Sequence, residues 1–564
     1  MDGGVQREAI PEWPQFQPDI GKRRREDRAY ISSYAKESWS GGFGILKSLP
    51  EIDTDRFWDA AAETRFPGQI TPPLLPNQDT VTPAVNLFSP LIYRGDAHAL
   101  TAGTGIAVGS LLAHYLYKYT PGIGWGSYSC IGTMDAIAGK VLKSLCMFER
   151  DNYIVGVFWQ DTGGSPAAML WTRWDTTNKI GTFARNPKVG TYPPTDAKPA
   201  TRVPEDNWIN TRIIGYSDDT KVWATDLWSA AGGFNLGPGD ACRGKLNDCL
   251  IHQFTAGSQT ILVAFDREIM DAVPLTSLFD LKDIKSDYLG LGMCSKNRIA
   301  YIPLEEELFA FASDYTVTKV GIYEDDGFPQ ESLGPITASA LSVRWLFLGK
   351  SANQSTRKAG IFAYDTFGWH NIWKDDTANR FITKMLVSKV NSIDRLHFFL
   401  QVGTFNNLAG ATLAYHLPYV LSNPQTEPSL SVATQGYLTD SQFQGYTPEL
   451  PGGFYRVSVQ GEALGTPHLI TVCYGINGAA PVTTLGQVSS SGQWLNFGTV
   501  GTQGNYIQMK YILERGTLAG TYPQFKMAVM EYIKNPPLRE SWLFTINNNK
   551  TAKELQLSEE QVLS

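Results

Sequence analysis

Short apolar segments, separated by polar or glycine turns, recur through the middle of this sequence. In each unit an apolar or aromatic stretch is followed by a turn and by a second stretch that ends at an acidic or aromatic residue. Apolar and polar residues alternate clearly from Val222 to Thr225 and from Thr260 to Phe265, which is typical of β-strands. Six hairpins are predicted: Tyr153 to Trp174, Thr211 to Trp228, Cys249 to Asp266, Leu308 to Tyr323, Val343 to Asp365 and Arg395 to Tyr415.

The spacing of these hairpins predicts how they pack. Their centres lie roughly 40 to 55 residues apart, which is the period of four-stranded propeller blades and not of a helical solenoid. Some strands, such as Tyr153 to Trp159 and Leu396 to Leu400, are apolar on both faces, as expected of strands packed between neighbouring blades. We therefore predict an all-β chain that contains a β-propeller of six blades, with five or seven as alternatives.

The residues before the hairpins differ from the rest of the chain in composition and in hydrophobic pattern. Residues 1–35 contain several prolines and the basic run from Lys22 to Arg25, and they show no sustained hydrophobic period. Such a composition suggests an extended arm that becomes ordered on a partner. Residues 1–82 are therefore predicted to form an extended N-terminal arm and docking segment, and residues 83–422 are assigned to the propeller.

The repeated pattern stops near Asn423. The stretch from Leu421 to Ser429 is rich in proline and polar residues and is predicted to be a linker. Six or more strand-like segments follow it, which predicts a jelly-roll-like β-sandwich at residues 423–548. Residues 549–564 form a C-terminal tail, in which Thr551 and Glu554 have the spacing of a capping box and favour a short helix.

The amino-acid composition supports the all-β prediction and limits the classes of binding partner that are expected. The 15 Trp, 25 Tyr and 27 Phe suit strands and large contact surfaces. The net charge of −7 provides no general attraction for nucleic acid or for an anionic membrane. The most apolar stretch, Ile106 to Ala113, is too short to span a bilayer, so no membrane span is expected. Six cysteines without CxxC spacing indicate free thiols and assembly in a reducing cytoplasm.

The sequence contains no motif that predicts catalysis, a cofactor or a metal. No glycine cluster is followed by the Lys-Ser/Thr of a nucleotide-binding loop, and the seven histidines lack HExxH or HxH spacing. A glycosidase needs two carboxylates, but the candidates all lie in polar turns, where Asp and Glu are expected to bond the backbone. These candidates are Asp218, Asp219, Glu305, Glu306, Asp325, Asp326, Asp375 and Asp376. We therefore predict a protein that is not an enzyme, with no catalytic, cofactor-binding or metal-binding residues.

Tryptophans at the ends of hairpins are the remaining functional signal. Such side chains can stack on sugar rings or anchor a protein interface, although most are expected to pack between blades. Trp369 and Trp373 are predicted as partner or glycan contacts, together with Trp39 from a Trp-Ser-Gly-Gly segment.

The order of parts resembles that of structural proteins from tailed bacteriophages. An extended arm, a tryptophan and glycine motif with a following Pro-Gly turn, a propeller and a C-terminal sandwich succeed one another. The residues that carry this resemblance are Ser38 to Gly44, Phe66 to Gly68, Tyr364 to Trp369 and Pro536 to Trp542. The resemblance extends over nearly the whole chain, and it is one of architecture.

The resemblance implies a virion protein of the tail nozzle or tail-tip type, which forms a ring with copies of itself through which DNA passes. The implied partners are neighbouring tail or adaptor proteins, a host surface glycan or receptor, and phage DNA in transient contact. The implied location is the tail of the virion, after assembly in the host cytoplasm. A glycan- or receptor-binding propeller is the alternative function, and a propeller glycosidase is a further one.

Overall fold

The structure is a computed structural model that describes residues 31–534 apart from internal gaps, the longest of which are 175–183, 186–197, 200–212, 403–411 and 444–451. Between residues 102 and 285 it describes mainly the backbone. The predicted arm up to residue 30, the motif from Pro536 to Trp542 and the predicted terminal helix lie outside the described residues.

Almost all regular structure in the described residues is β-structure. These residues form 44 strands and one short 3-10 helix, Gln330–Ser332. The prediction of an all-β chain is confirmed. Six strands precede the repeated sheets: β1 (Ile31–Lys36), β2 (Gly42–Phe43), β3 (Lys47–Ser48), β4 (Arg56–Ala61), β5 (Asn77–Gln78) and β6 (Val81–Thr82).

Seven consecutive sheets, here called blades 1 to 7, follow between residues 87 and 418. Blade 1 contains β7 (Leu87–Tyr93), β8 (Asp96–Thr101), β9 (Ile106–Val108), β10 (Leu111–Thr120) and β11 (Gly124–Asp135). Blade 2 contains β12 (Val141–Arg150), β13 (Tyr153–Asp161), β14 (Ala168–Trp174) and β15 (Ala184–Arg185). Blade 3 contains β16 (Lys198–Pro199), β17 (Ile213–Ser217), β18 (Lys221–Ser229), β19 (Gly233–Leu236) and β20 (Asp240–Ala241).

The remaining four blades are built in the same way. Blade 4 contains β21 (Leu246–Thr255), β22 (Ser258–Phe265), β23 (Glu268–Asp271) and β24 (Thr276–Asp280). Blade 5 contains β25 (Cys294–Lys296), β26 (Ile299–Leu304), β27 (Glu307–Phe311) and β28 (Val317–Lys319). Blade 6 contains β29 (Ile336–Leu341), β30 (Leu346–Lys350), β31 (Lys358–Tyr364) and β32 (Trp369–Ala378), and blade 7 contains β33 (Arg380–Val390), β34 (Ile393–Val402) and β35 (Thr412–Pro418).

The blades close into a ring. The first strands of blades 4, 5, 6, 7 and 1 contact one another in that order, so blade 7 meets blade 1. The fourth strand of blade 7 is β5, which pairs with β35 although more than 300 residues separate them in the chain. This is the strand order of a β-propeller that an N-terminal strand closes.

The seven blades correspond to one of the two alternatives and not to the preferred count of six, because the hairpin pattern did not reveal blade 1. The sequence predicts a buried strand or hairpin at Ile106 to Ala113, and this stretch supplies β9 and the start of β10, which pair with each other. The pairing of β10 with β11 shifts register twice, between His114 and Tyr115 and between Leu116 and Tyr117. Such bulges interrupt the two-residue alternation by which a strand is recognised.

The extended arm predicted for residues 1–82 also differs from the structure, within its described part. Strand β1 pairs with β44 of the C-terminal sandwich, β4 pairs with β36, and β5 belongs to blade 7. These pairings join positions several hundred residues apart in the chain. The local pattern of apolar and polar residues therefore does not reveal these pairings, and short polar strands are easily mistaken for an extended arm.

The C-terminal sandwich consists of two sheets. Its strands are β36 (Gln435–Asp440), β37 (Gln442–Phe443), β38 (Gly452–Glu462), β39 (Leu469–Ile476), β40 (Thr483–Val488), β41 (Gln493–Asn496), β42 (Thr502–Gly504), β43 (Ile507–Glu514) and β44 (Gln524–Lys534). The first sheet has the order β1-β44-β38-β41, with β42 also paired to β38, and the second contains β2, β4, β36, β43, β37, β3, β39 and β40. Thus the segment before the ring and the segment after it complete one sandwich.

One hydrophobic core runs from the sandwich into the ring. Val457 of the first sheet and Val472 and Leu513 of the second are fully buried in it. The same cluster includes Phe43, whose ring lies 5.5 Å from the ring of Phe362 in blade 6. The sandwich is therefore packed directly against the ring.

Candidate functional site: the joint between ring and sandwich

Two glycine motifs meet where the sandwich contacts blade 6. A Cβ atom on Gly368 would lie 2.6 Å from the carbonyl carbon of Gly41, and one on Gly42 would lie 2.5 Å from the backbone nitrogen of Trp369. Gly42 also has a φ of +85°, which other residues rarely adopt. The two backbones approach so closely that only glycine fits at these positions.

Trp39 is buried beside this contact. Its side chain is 1% exposed, and its indole nitrogen donates a hydrogen bond of 2.7 Å to Oδ1 of Asp440. The ammonium group of Lys36 lies 3.0 Å from the same carboxylate oxygen. Both the ring and the polar atom of Trp39 are thus occupied within the sandwich.

The other two predicted contact residues are buried as well. Trp369 is 5% exposed and stacks on Tyr364 with ring centroids 4.5 Å apart, and Trp373 is 9% exposed and packs on Phe398 at 4.9 Å. These rings leave no face open to a glycan or a partner. The prediction that Trp39, Trp369 and Trp373 contact a partner or glycan is therefore corrected: all three hold the fold together. An aromatic residue at the end of a hairpin can be either buried or exposed, and its position in the sequence does not distinguish the two, which explains the error.

A second part of the joint is a cluster of charged side chains. Lys374 of blade 6 lies 2.8 Å from Glu331 and 3.9 Å from Asp59 of β4, and only 8% of its side chain is exposed. The hydroxyl of Tyr437 donates to Asp59 at 2.9 Å. Burial raises the pKa of Tyr437 well above its usual value, so this hydroxyl keeps its proton. Burial would also raise the pKa of Glu331, but the hydrogen bond and charge of Lys374 outweigh burial and lower it.

A third part of the joint is a desolvated ion pair. Arg65 donates to both carboxylate oxygens of Glu63, at 2.8 and 2.6 Å, and both side chains are almost completely buried. The guanidinium group lies 5.4 Å from the ring of Trp345 in blade 6. Nearby, the hydroxyl of Thr64 lies 2.9 Å from Nδ1 of His370, and burial lowers the pKa of that histidine to about 4. A pair of this kind would be costly to break, because either partner alone would remain as a buried charge.

The ring itself is closed by a cluster around Asp79. Its carboxylate accepts hydrogen bonds from Nε1 of Trp125 at 3.0 Å and from Nδ1 of His416 at 2.6 Å. Its backbone nitrogen donates to the carbonyl of Ala414. Burial would raise the pKa of Asp79, but its interactions with the nearby rings of His397 and His416 outweigh burial and lower it. Asp79 thereby links blade 1 to blade 7.

The same cluster contains serine, histidine and aspartate, the residue types of a hydrolase triad. Ser388 Oγ lies 2.8 Å from Nε2 of His397, but the other ring nitrogen of His397 is 3.9 Å from Asp79, too far for a hydrogen bond. Ser388 and His397 are both buried, and burial lowers the pKa of His397. A nucleophile must reach substrate in an open cleft. This arrangement therefore fits a structural network and not acyl transfer.

Of the glycosidase candidates that the structure describes, Glu306 and Asp375 have structural partners, whereas Glu305 and Asp376 are exposed. Glu306 forms an ion pair with Arg357. Asp375 accepts a hydrogen bond from the backbone of Thr377 at 3.0 Å and lies 3.4 Å from Arg380. Burial raises the pKa of Asp375. The other candidates at 218, 219, 325 and 326 lie outside the described residues.

Lys350 is the most unusual ionisable group of blade 6. It is buried, and burial lowers its pKa to about 7. Its Nζ donates to the carbonyl of Ser332 and lies 5.7 Å from the ring of Phe362. An amine with such a pKa can act as a nucleophile, but this one is enclosed by protein. Its role in the described structure is to bond the backbone.

Within the described residues, no group of three or more His, Cys, Asp or Glu is placed to hold a metal ion. Cys294 and Cys473 are both buried thiols. No helix in the same part of the chain is long and apolar enough to cross a membrane.

Sequence reasoning missed the residues that define the joint and the ring closure. Glu63, Arg65 and Asp79 lie in the segment predicted as an arm, and His397 and His416 are isolated in the sequence. Pairing with distant strands brings them together, so no local spacing could have revealed them. The glycine motifs were the one local signal, and they do mark the joint.

No model of a known protein family matches this chain, and no curated protein matches it. Solved structures with a similar fold include the BBS1N chain crystallised with ARL6DN, with 9% identity over 62% of this chain and 99% of the other and a TM-score of 0.38. Sqt1 from Saccharomyces cerevisiae has 10% identity over 61% and 88%, with a TM-score of 0.34. An exo-beta-1,3-galactanase from Phanerochaete chrysosporium has 12% identity over 82% and 100%, with a TM-score of 0.25. At these scores the likeness carries no information about function.

Proposed function

We propose that this chain is a structural subunit of a tailed-phage virion, of the tail nozzle or tail-tip type. The observation that carries the proposal is the joint. Two of the motifs on which the resemblance to phage structural proteins rests, Ser38 to Gly44 and Tyr364 to Trp369, pack backbone against backbone there. The motif residues thus serve to fix one domain on another.

Rigidity supports this role. The sandwich and the ring share a hydrophobic core, the guanidinium of Arg65 lies over the ring of Trp345 in blade 6, and Lys374 of blade 6 contacts Asp59 of the sandwich strand β4. Close-packed, fully bonded contacts of this kind resist relative motion. A subunit of a tail must keep its shape while DNA passes and while neighbours pull on it.

Assembly would place several copies in a ring around the tail axis. A cyclic ring uses two different surfaces of each copy, so it needs a subunit whose domains keep a fixed orientation. The segment before residue 31 is proposed to become ordered on a neighbouring copy or on an adaptor protein. The proposed site of assembly is the host cytoplasm, and contact with phage DNA would be transient.

The test is genetic deletion of this chain from the genome that encodes it. We expect filled heads with incomplete tails that do not infect, and we expect the purified wild-type chain, added back, to restore infectivity. Restoration by a Gly368→Val variant should fail, whereas a Gly126→Ala variant should restore infectivity, because a Cβ at Gly126 meets no atom within 4 Å. Particles with normal tails and full infectivity after deletion would refute the proposal.

A glycan-binding role is the second candidate, and one observation favours it. Trp494 is exposed on the sandwich, and the guanidinium of Arg456 lies 4.2 Å from its ring. Arg456 is held in place by Glu531 at 2.6 Å. A preorganised pair of an aromatic ring and a charged group can hold a sugar ring and its hydroxyls. A glycan array with wild-type chain and a Trp494→Ala variant tests this role; binding unaffected by the substitution, or no binding, would contradict it.

A further inference from the structure

One end of the ring has an unusual surface, here called the turn face. In blades 5, 6, 7 and 1 it consists of the turns that join the first strand to the second and the third strand to the fourth. Because strands of a blade alternate in direction, these turns lie at the same end of their blade. Its described turns lie at residues 94–95, 121–123, 297–298, 342–345, 365–368 and 391–392.

Contacts between blades show that their turns share this end. Nζ of Lys296, at the end of β25, donates to the carbonyl of Arg344 at 2.5 Å and so connects the turns of blades 5 and 6. The guanidinium of Arg395, near the start of β34, lies 5.9 Å from the ring of Tyr119, near the end of β10. The same ends of blades 7 and 1 therefore meet.

Apolar side chains project from this face. Val343 is 100% exposed, Phe367 is 79% exposed and Ile123 is 70% exposed. Val343 and Phe367 belong to neighbouring turns of blade 6, which an ion pair between Arg344 and Asp365 at 3.6 Å holds side by side. Single exposed apolar residues are common, but several at the tips of turns on one end of a domain indicate a contact surface.

The same face is locally basic, in contrast to the net charge of −7 of the whole chain. Exposed Arg or Lys occupies or adjoins the first turn of each of the four blades: Arg94, Arg298, Arg344 and Lys389. Lys118 and Lys296 lie close behind them. The acidic groups of the described turns are Asp96, which pairs with Lys118 at 2.5 Å, Asp365, which pairs with Arg344, and the half-buried Asp394. Basic side chains outnumber acidic ones on this surface by about two to one.

Backbone conformation supports a role for two of these arginines. Arg94 has a φ of 49° and Arg298 a φ of 64°, in the left-handed region that tight hairpin turns normally fill with Asn or Gly. A residue with a long charged side chain adopts this backbone conformation only at a cost in conformational energy. Arginine at both positions is explained if its side chain is needed at the tip.

We propose that the turn face docks on an anionic phospholipid surface. Val343, Phe367 and Ile123 would enter the boundary between headgroups and acyl chains, while Arg94, Arg298, Arg344 and Lys389 would face the lipid phosphates. A nucleic acid would account for the basic side chains, but not for aliphatic side chains at the tips of turns. The proposal concerns this surface alone and does not depend on the role of the chain in a virion.

The experiment is vesicle flotation with the full-length chain. Vesicles of equal parts phosphatidylglycerol and phosphatidylcholine are compared with vesicles of phosphatidylcholine alone, each at low and at high salt. We expect binding to the anionic vesicles only, weaker by about tenfold at high salt because the ionic part of the contact is screened. Val343→Ser with Phe367→Ser, and separately Arg298→Glu with Lys389→Glu, should each reduce that binding by about tenfold.

Matched controls lie elsewhere on the molecule. Val482 is 76% exposed on the sandwich, and Arg267 is exposed in a turn at the other end of blade 4. Val482→Ser and Arg267→Glu should leave vesicle binding unchanged, and circular dichroism and melting curves should show that all variants are folded. Equal loss of binding in variants and controls, or no binding of the wild-type chain, would overturn the proposal. Binding to duplex DNA and not to vesicles would also overturn it and would assign the basic side chains to nucleic acid.

Discussion

At the scale of single residues, the joint depends on glycines that leave no room for a side chain. A methyl group on Gly368 would overlap the backbone of Gly41, and each of these glycines directly precedes a strand, β32 and β2 respectively. We expect Gly368→Ala to lower the free energy of unfolding by about 1–3 kcal/mol, as other overpacked sites do. Urea unfolding measures this change. The control is Gly126→Ala, for which little change is expected; equal effects of the two substitutions would argue against a tight joint.

Substitution of Lys350 is expected to stabilise the protein, in contrast to substitution of Gly368. Its folded pKa of about 7 lies below the ordinary value of 10.5, so the unfolded state binds more protons between these values. The free energy of unfolding should therefore rise with pH over that interval. Lys350→Met removes the buried charge, and we expect it to stabilise the protein by about 1–3 kcal/mol at pH 7. The difference from wild type should shrink as the pH rises towards 9.5. A destabilised variant at pH 7 would show that the bond to the Ser332 carbonyl outweighs burial.

Buried histidines predict how the protein responds to acid. Burial lowers the pKa values of His98, His114, His252 and His370 from 6.5 to about 4. Because each folded pKa lies below its unfolded value, protonation favours the unfolded state, and stability is lost as the pH falls from 6.5 towards 4. We expect the free energy of unfolding in urea to fall steadily as the pH is lowered over this range. A flat profile from pH 7 to 4.5 would show that these rings are not buried.

At the scale of elements, β5 and the residues beside it close the ring. The strand contributes only two residues, so the closure relies on Asp79 and on its bonds to Trp125 and His416. We expect Asp79→Ala to lower the free energy of unfolding by about 2–4 kcal/mol, because it leaves buried donors unpaired. Hydrogen exchange followed by mass spectrometry should also show faster exchange at residues 77–82 and in β35.

The matched control for ring closure is Asp376→Ala, at an exposed position near the end of β32 in blade 6. It should leave exchange in β35 unchanged. Faster exchange spread evenly over all blades in the Asp79→Ala variant would mean that the ring does not depend on this closure.

The strands and blades show which parts of the fold can be predicted from the sequence. Blades 2 to 7 were predictable, because each contains a hairpin whose residues are neighbours in the chain. Blade 1 was missed because bulges in β10 and β11 disturb the alternation. The strands β1, β4 and β5 were missed because their partners lie several hundred residues away. Of the candidate contacts, Trp39, Trp369 and Trp373 were found as important positions, but the sequence could not show that they are buried.

At the scale of the whole molecule, the chain is a ring and a sandwich joined into one unit. The segment from residue 31 to 82 passes through both, as strands of the sandwich and then as the closing strand of the ring. Unfolding of the sandwich would therefore release β1 and β4 and disturb the joint, and we expect the described domains to unfold together and not in two separate steps. A scaffold of this kind suits a subunit that carries load between neighbours.

The copy number of this chain in purified particles distinguishes a tail subunit from a protein outside the virion. Quantitative mass spectrometry of gradient-purified virions, made by the genome that encodes the chain, would be calibrated against the single-copy and multi-copy proteins of the same particle. We expect the chain to be present in a fixed whole-number ratio of several copies per particle, as a tail ring requires. Its absence from infectious particles, or a variable trace amount that is removed by washing, would contradict the account.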